Sequence, residues 1–255
     1  MTPRILVTND DGIYSDGLKQ LAAALRPLGE VIVVAPDREQ SAASHALTLN
    51  RPLRLIELDE KQWTVDGTPT DCVNLGVQYL LKERKPDVVV SGINFGPNMG
   101  DDVTYSGTIS AAFEGSLLGI PSIAFSALVG EGFSFERCAR FAAELTTITL
   151  DGRVDPSIIL NVNFPVGEFR GVRITRLGER TYGEGVIERH DPRGRKYFWI
   201  GGDAPVWRAD PGTDFAALEE QYVSITPLHL DLTHHDSIER LRGLERRFDF
   251  TTTNA

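Results

Sequence analysis

Four apolar runs constrain this chain more than anything else in it: Ile5-Leu6-Val7, Val31-Ile32-Val33-Val34-Ala35, Val88-Val89-Val90 and Ile158-Ile159-Leu160. Each is too short for a typical helix and too uniformly apolar for a strand with one wet face. A strand of that character is buried on both sides, the condition of a parallel sheet with helices on each face. Helical spacing alternates with the runs. Leu18, Leu21, Ala22 and Leu25 share one face of a helix expected over Leu18–Leu28, with Gly29 as its C-cap. Further helices are expected over 70–81, 106–119 and 135–147, and strands over 87–91 and 121–126. The alternation predicts an α/β fold, doubly wound around a mostly parallel sheet.

Beyond the strand expected over 158–162 the pattern loosens. Residues 173–202 are rich in glycine and charge and read as an extended hairpin or long loop. A strand is expected over 222–226, a short one over 229–233, and a basic helix over 237–248. The reading is a single domain over 1–255. Its core covers about 1–165; a protruding hairpin and C-terminal arm over about 166–255 are suited to packing on a partner subunit.

Composition excludes several classes of function. The formal net charge of -10 disfavours a nucleic acid polymer or an anionic membrane as the main partner. No apolar stretch approaches the ~20 residues of a membrane span. Cys72 and Cys138 form no CxxC pair and read as small buried residues. The first strand begins by about residue 4, which leaves no room for a signal peptide, so the expectation is a cytoplasmic protein.

Ligands of such folds sit at the carboxyl ends of the strands. The first strand exits into Asn9-Asp10-Asp11-Gly12. Adjacent carboxylates repel, and in a continuing strand they point to opposite faces. A turn at Gly12 lets them converge, and a divalent cation resolves the repulsion. Acidic capping of the next helix is the alternative, but it accounts for one carboxylate rather than two. The second exit supplies Ser41, which alone reads as an ordinary loop serine. The third supplies Asn94, in a loop carrying Gly92, Gly96 and Gly100 that enters a helix at Ser106-Gly107-Thr108. A helix start with free amides suits phosphate, and a plain cap by Ser106 or Thr108 is compatible with that. Two carboxylates, a hydroxyl and a carboxamide are hard oxygen donors that suit Mg²⁺ or Mn²⁺. The pair Asp101 and Asp102 reads as loop-capping or solvated. His45 reads equally as a phosphate donor or a structural residue. His234, His235 and the segment 189–195 read as surface.

The stretches VTNDDG, APDREQSAASHALT, GTPTDCV, SGINFGPNMGDDVTYSGTISAAFEG and GTDFAALEEQYVSITPLHLDLT, in that order, resemble the SurE (survival protein E) phosphatases. The resemblance runs from Ile5 to about Thr233. It implies a Rossmann-like three-layer fold and a divalent-metal-dependent phosphatase acting on nucleoside 5′- and 3′-monophosphates, with short polyphosphate for some members. It implies one metal ion per subunit on Asp10, Asp11, Ser41 and Asn94, and phosphate contacts from Asn98, Ser106, Gly107 and Thr108. It also implies a homodimer or homotetramer. In the mechanism this suggests, Asp10 or Asp11 also takes a proton from the attacking water. Two rivals remain: a haloacid-dehalogenase-like phosphatase with an aspartyl nucleophile, which Asn9 in the DxD position opposes, and a non-catalytic nucleotide-binding module. Tyr105 or Phe95 could stack on a base, though a core or loop role reads as the stronger expectation.

Overall fold

The computed structural model describes residues 2–181, 185–200, 206–208 and 210–248. The strands are β1 (Arg4–Thr8), β2 (Glu30–Pro36), β3 (Leu55–Asp59), β4 (Gln62–Val65), β5 (Val88–Phe95), β6 (Ser122–Ala127), β7 (Ile159–Phe164), β8 (Val172–Ile174), β9 (Glu179–Thr181), β10 (Val186–His190), β11 (Lys196–Ile200), β12 (Val206–Arg208) and β13 (Val223–Leu228). The helices are α1 (Asp16–Leu25), α2 (Pro69–Leu75), α3 (Gly107–Leu117), α4 (Phe135–Leu150), α5 (Asp214–Glu219), α6 (His235–Leu241) and α7 (Gly243–Arg247).

Nine strands form one sheet in the order β3-β4-β2-β1-β5-β6-β7-β13-β8. From β4 through β7 all neighbours are parallel. The edge strand β3 and the strand β13 run antiparallel to them. Helices α1 and α4 pack together on one face, and α2 and α3 on the other. The apolar runs are buried on both sides as their composition requires. Ile5 and Val7 of β1 join the cluster of Leu18, Leu21 and Val90, while Leu6 joins Val34, Val73 and Val77 beneath α2. Cys72 and Cys138 are both buried.

Several boundaries differ from expectation, each for a local reason. Helix α1 stops at Leu25 and continues as a 3₁₀ turn over Arg26–Leu28, where Pro27 has no N–H to extend the ladder. Gly29 is extended rather than left-handed. A Cβ there would lie 2.3 Å from the Pro3 carbonyl oxygen, so a close backbone approach, not a cap, selects glycine. The helix expected over 70–81 ends at Leu75 and gives way to a π-turn, Gly76–Leu80. Strand β5 does not stop at Gly92. Its pairing with β6 shifts register between Ser91 and Asn94 and then resumes, carrying Asn94 to the strand tip. Gly92 has φ +132°, and a Cβ would sit 2.3 Å from the Phe125 carbonyl oxygen.

The sheet also runs past residue 165, because β8 and β13 complete it. Residues 229–233 form no strand, and the expected C-terminal helix is broken into α6 and α7. Within 173–202, β10 and β11 form a hairpin whose turn is tied by Asp191. That side chain accepts from the backbone N–H of Arg193 at 2.8 Å and of Arg195 at 2.9 Å. Gly183, Gly201 and Gly202 of that stretch lie outside the described residues. Among the described residues no helix is long and apolar enough to cross a membrane.

Candidate active site

The chain lays β2 on one side of β1 and later β5 on the other, so the strand order reverses at the β1–β5 pair. A crevice opens there at the carboxyl ends, where ligands of this architecture bind. A cavity of about 560 Å³ fills it, a size suited to a small organic ligand.

Asp10 and Asp11 both line it. The turn that brings them together is fixed locally. Gly12 adopts φ +95°, and a Cβ would lie 3.1 Å from the Arg38 carbonyl carbon. Asn9 donates its side-chain amide to the Gly12 carbonyl at 3.1 Å and to the Ser15 hydroxyl at 2.8 Å. Ser15 in turn caps α1 by accepting from the Leu18 N–H. The Asp10 carbonyl accepts from Gln40 N–H at 2.8 Å, which ties the β2 exit to the β1 exit.

Asp10 is buried. Burial pushes its carboxyl up to about 6, the neighbouring Asp11 charge adds to that, and hydrogen bonding from Thr108 partly offsets it. The Thr108 hydroxyl donates to Asp10 Oδ1. Gly107 lies against the same side chain: a Cβ there would come within 2.9 Å of Asp10 Cβ. The start of α3 therefore already faces an anion, and that anion is Asp10. Asp11 accepts from the Phe95 N–H at 3.1 Å. Burial raises its carboxyl too, with Glu39 adding to the effect.

Ser41 and Asn94 line the same cavity. Ser41 is exposed and donates to Glu39 Oε1 at 2.6 Å. Asn94 donates its amide N–H to the Gly96 carbonyl at 2.9 Å. Asn98 and Ser106 also line it, whereas Gly107 and Thr108 stand behind Asp10 and do not. Ser106 is the N-cap of α3, accepting from Ile109 N–H at 3.1 Å. Asn98 is seated on a buried polar layer. Its backbone N–H donates to Asn163 Oδ1 at 2.8 Å, and its carbonyl accepts from the amides of Asn161 and Asn163 at 2.9 and 3.0 Å. Its side chain donates to the Ser126 hydroxyl at 2.8 Å.

Residues 5–184 match the family model described as Survival protein SurE. The chain belongs to the SurE family. It is 52% identical over 242 residues to a protein of Myxococcus xanthus named 5′-nucleotidase SurE, a match covering 94% of this chain and 92% of the relative. A Geobacter sulfurreducens protein of the same name is 53% identical over 243 residues, again across 94% of this chain and 92% of the relative. A crystal structure of the SurE protein from Aquifex aeolicus superposes with TM-score 0.86 at 46% identity, covering 95% of this chain and all of that one. The mostly parallel sheet flanked by helices is thus a SurE fold in sequence and in shape.

Several cavity residues carry little signal at the strand exits, or have the look of loop residues in the sequence. Glu39 and Asp16 are two; Asp102 and the rings of Phe95 and Tyr105 are others. The signal for Glu39 was present, since it sits two residues before Ser41 on the same exit. Asp16 reads as first-turn acidity of α1, which it also is. His45 does not line the cavity; its ring pairs with buried Glu114 at 3.0 Å. His235 pairs with Asp231 on the surface.

Proposed function

We propose that this SurE chain is a divalent-metal-dependent phosphomonoesterase that hydrolyses nucleoside 5′- and 3′-monophosphates to nucleoside and phosphate. The observation that carries the metal requirement is electrostatic. Asp10, Asp11, Asp16, Glu39 and Asp102 all line the cavity, with no lysine, arginine or histidine among its described lining residues. Such a field repels a phosphate dianion unless a cation reverses it.

The residues fit a hard divalent cation. Asp10 and Asp11 have no ion-pair partner among the described residues, and burial opposes the charge of each. The Asn94 amide oxygen has no hydrogen-bond partner among them either. No group of three or more His, Cys, Asp or Glu side chains in the described residues is disposed to hold a metal. A cation therefore draws on the Ser41 hydroxyl and the Asn94 amide oxygen along with the two carboxylates, an all-oxygen set that suits Mg²⁺ or Mn²⁺. Bound there, such an ion supplies Lewis acidity towards a phosphoryl oxygen and water.

Asn98 and Ser106 hold the phosphate, their positions fixed by the buried asparagine layer and by the cap of α3. Gly107 and Thr108 act by seating Asp10. One carboxylate of the Asp10–Asp11 pair accepts the proton of the attacking water. The 3′-nucleotide and polyphosphate activities rest on the family resemblance, as does a homodimer or homotetramer; a cytoplasmic location rests on the sequence expectation alone.

Phosphate release from 5′-AMP, 3′-AMP and tripolyphosphate, measured after chelation and again with Mn²⁺, tests the proposal. The expected result is release from both nucleotides that needs the metal. Nucleotide binding without release would leave a sensing module instead.

A further inference from the structure

Two aromatic rings stand at the mouth of this cavity. Phe95 is 64% exposed and Tyr105 is 59% exposed, and both line the space that holds Asp10 and Asp11. A core role is therefore ruled out for either. Neither sits at an arbitrary place. Phe95 directly follows Asn94 at the tip of β5, and its backbone N–H is fixed on Asp11. Tyr105 directly precedes Ser106, and its carbonyl accepts from Ser44 N–H at 3.1 Å, which fixes its backbone as well. Each ring thus stands one residue, about 3.8 Å of chain, from a side chain proposed to hold cation or phosphate. Phe135 also lines the cavity but is packed edge-on against Phe133 at 4.7 Å, so it belongs to the wall.

We infer that Phe95 and Tyr105 form an aromatic rim that stacks on the base of the nucleotide. The inference rests on the phosphate end lying at Asn98 and Ser106. Phe95 and Tyr105 line the same cavity as Asn98 and Ser106, so a ligand anchored there shares it with two solvent-exposed rings. The volume of about 560 Å³ also exceeds the needs of a phosphate group alone. Stacking on a ring face distinguishes a base from a sugar but discriminates weakly among bases. The rim therefore selects nucleotides over sugar phosphates without strong preference for one nucleobase.

The test compares the wild type with Phe95→Ala, Tyr105→Ala, their double variant, and the ring-preserving Phe95→Tyr and Tyr105→Phe. The first readout is calorimetric titration with adenosine, which carries no phosphate to hydrolyse. The double alanine variant is expected to bind adenosine about tenfold more weakly, while the ring-preserving variants keep wild-type binding. The second readout is the ratio of KM for ribose 5-phosphate to KM for AMP, which is expected to fall by a similar factor in the alanine variants. Equal adenosine binding by the wild type and the double alanine variant overturns the rim, as does no adenosine binding by the wild type. A wild type that binds adenosine through these rings but releases no phosphate from AMP with Mn²⁺ present would instead overturn the proposed reaction and leave the rim standing.

Discussion

The cavity mouth and the β10–β11 hairpin both present aromatic rings to solvent, yet they differ in what stands behind the rings. Phe198 and Trp199 on the hairpin are 57% and 63% exposed, much like Phe95 and Tyr105, and Ile200 beside them is 93% exposed. Behind the mouth lie a buried layer of Asn161, Asn163 and Ser126 holding Asn98, a hydroxyl bond to Asp10, and glycines where no Cβ fits. Among the described residues β10 and β11 pair only with each other, and all five residues of β11 are exposed. A two-stranded ribbon is marginally stable by itself. Exposure thus means different things in the two places: a ring on a polar-backed seat suits a ligand, whereas the exposed apolar run Tyr197–Ile200 on a two-stranded ribbon suits a second copy of the chain. The hairpin, with the arm beyond it, is accordingly our proposed subunit contact.

The contrast can be broken by substitutions on either side of it. The largest expected effect is at the carboxylates. Asp10→Asn or Asp11→Asn is expected to lower kcat/KM by about 10²- to 10³-fold, as loss of metal-assisted charge stabilisation implies. Trp199→Ser on the hairpin, assayed beside them, is expected to change it by less than about threefold, a surface-scale effect.

Next is the metal-free protein. Asp10 has its folded-state carboxyl raised to about 6 from 3.8, so burial opposes ionisation. Its contribution favours the folded state below about pH 4 and is lost as pH rises through about 6, on the order of 3 kcal/mol. Denaturation in chelator should show that loss over this interval, and saturating Mn²⁺ should remove it. A flat profile in chelator would mean that Asp10 is solvated.

Gly107→Ala tests the seat of Asp10 more gently. The added carbon falls 2.9 Å from Asp10 Cβ and 3.2 Å from Pro69 Cγ. A cost of about 1–3 kcal/mol in thermal stability is expected, together with weakened Mn²⁺ binding. The smallest effect on stability is expected at Ile200→Ser, within about 0.5 kcal/mol, since the side chain is 93% exposed. Sedimentation of the same variant should shift towards monomer, and an unmoved profile would separate the hairpin from assembly.

The same contrast explains what was legible in the sequence. The runs at Ile5, Val31 and Val88 could be read as buried strands because burial on two faces leaves no other composition. The strand exits followed from them, which is why Asp10, Asp11, Ser41 and Asn94 could be brought to one place before any coordinates. Residues whose roles depend on fine geometry were not legible. That β5 continues past Gly92 depends on the approach of the Phe125 carbonyl. That Thr108 and Gly107 serve Asp10 instead of lining the cavity depends on side-chain placement at one helix turn. Glu39 and Asp102 look like any loop acid until the cavity is assembled. In the hairpin and arm, no core imposes a period, so the strand expected over 229–233 had little to support it.

The central claim is that a divalent cation is what lets Asp10 and Asp11 share this crevice. Calorimetric titration of Mn²⁺ into chelator-treated wild type, Asp11→Asn and Trp199→Ser tests it most directly. The account predicts one site per chain in the wild type and in Trp199→Ser, and its loss in Asp11→Asn. Equal Mn²⁺ binding by all three proteins would contradict it.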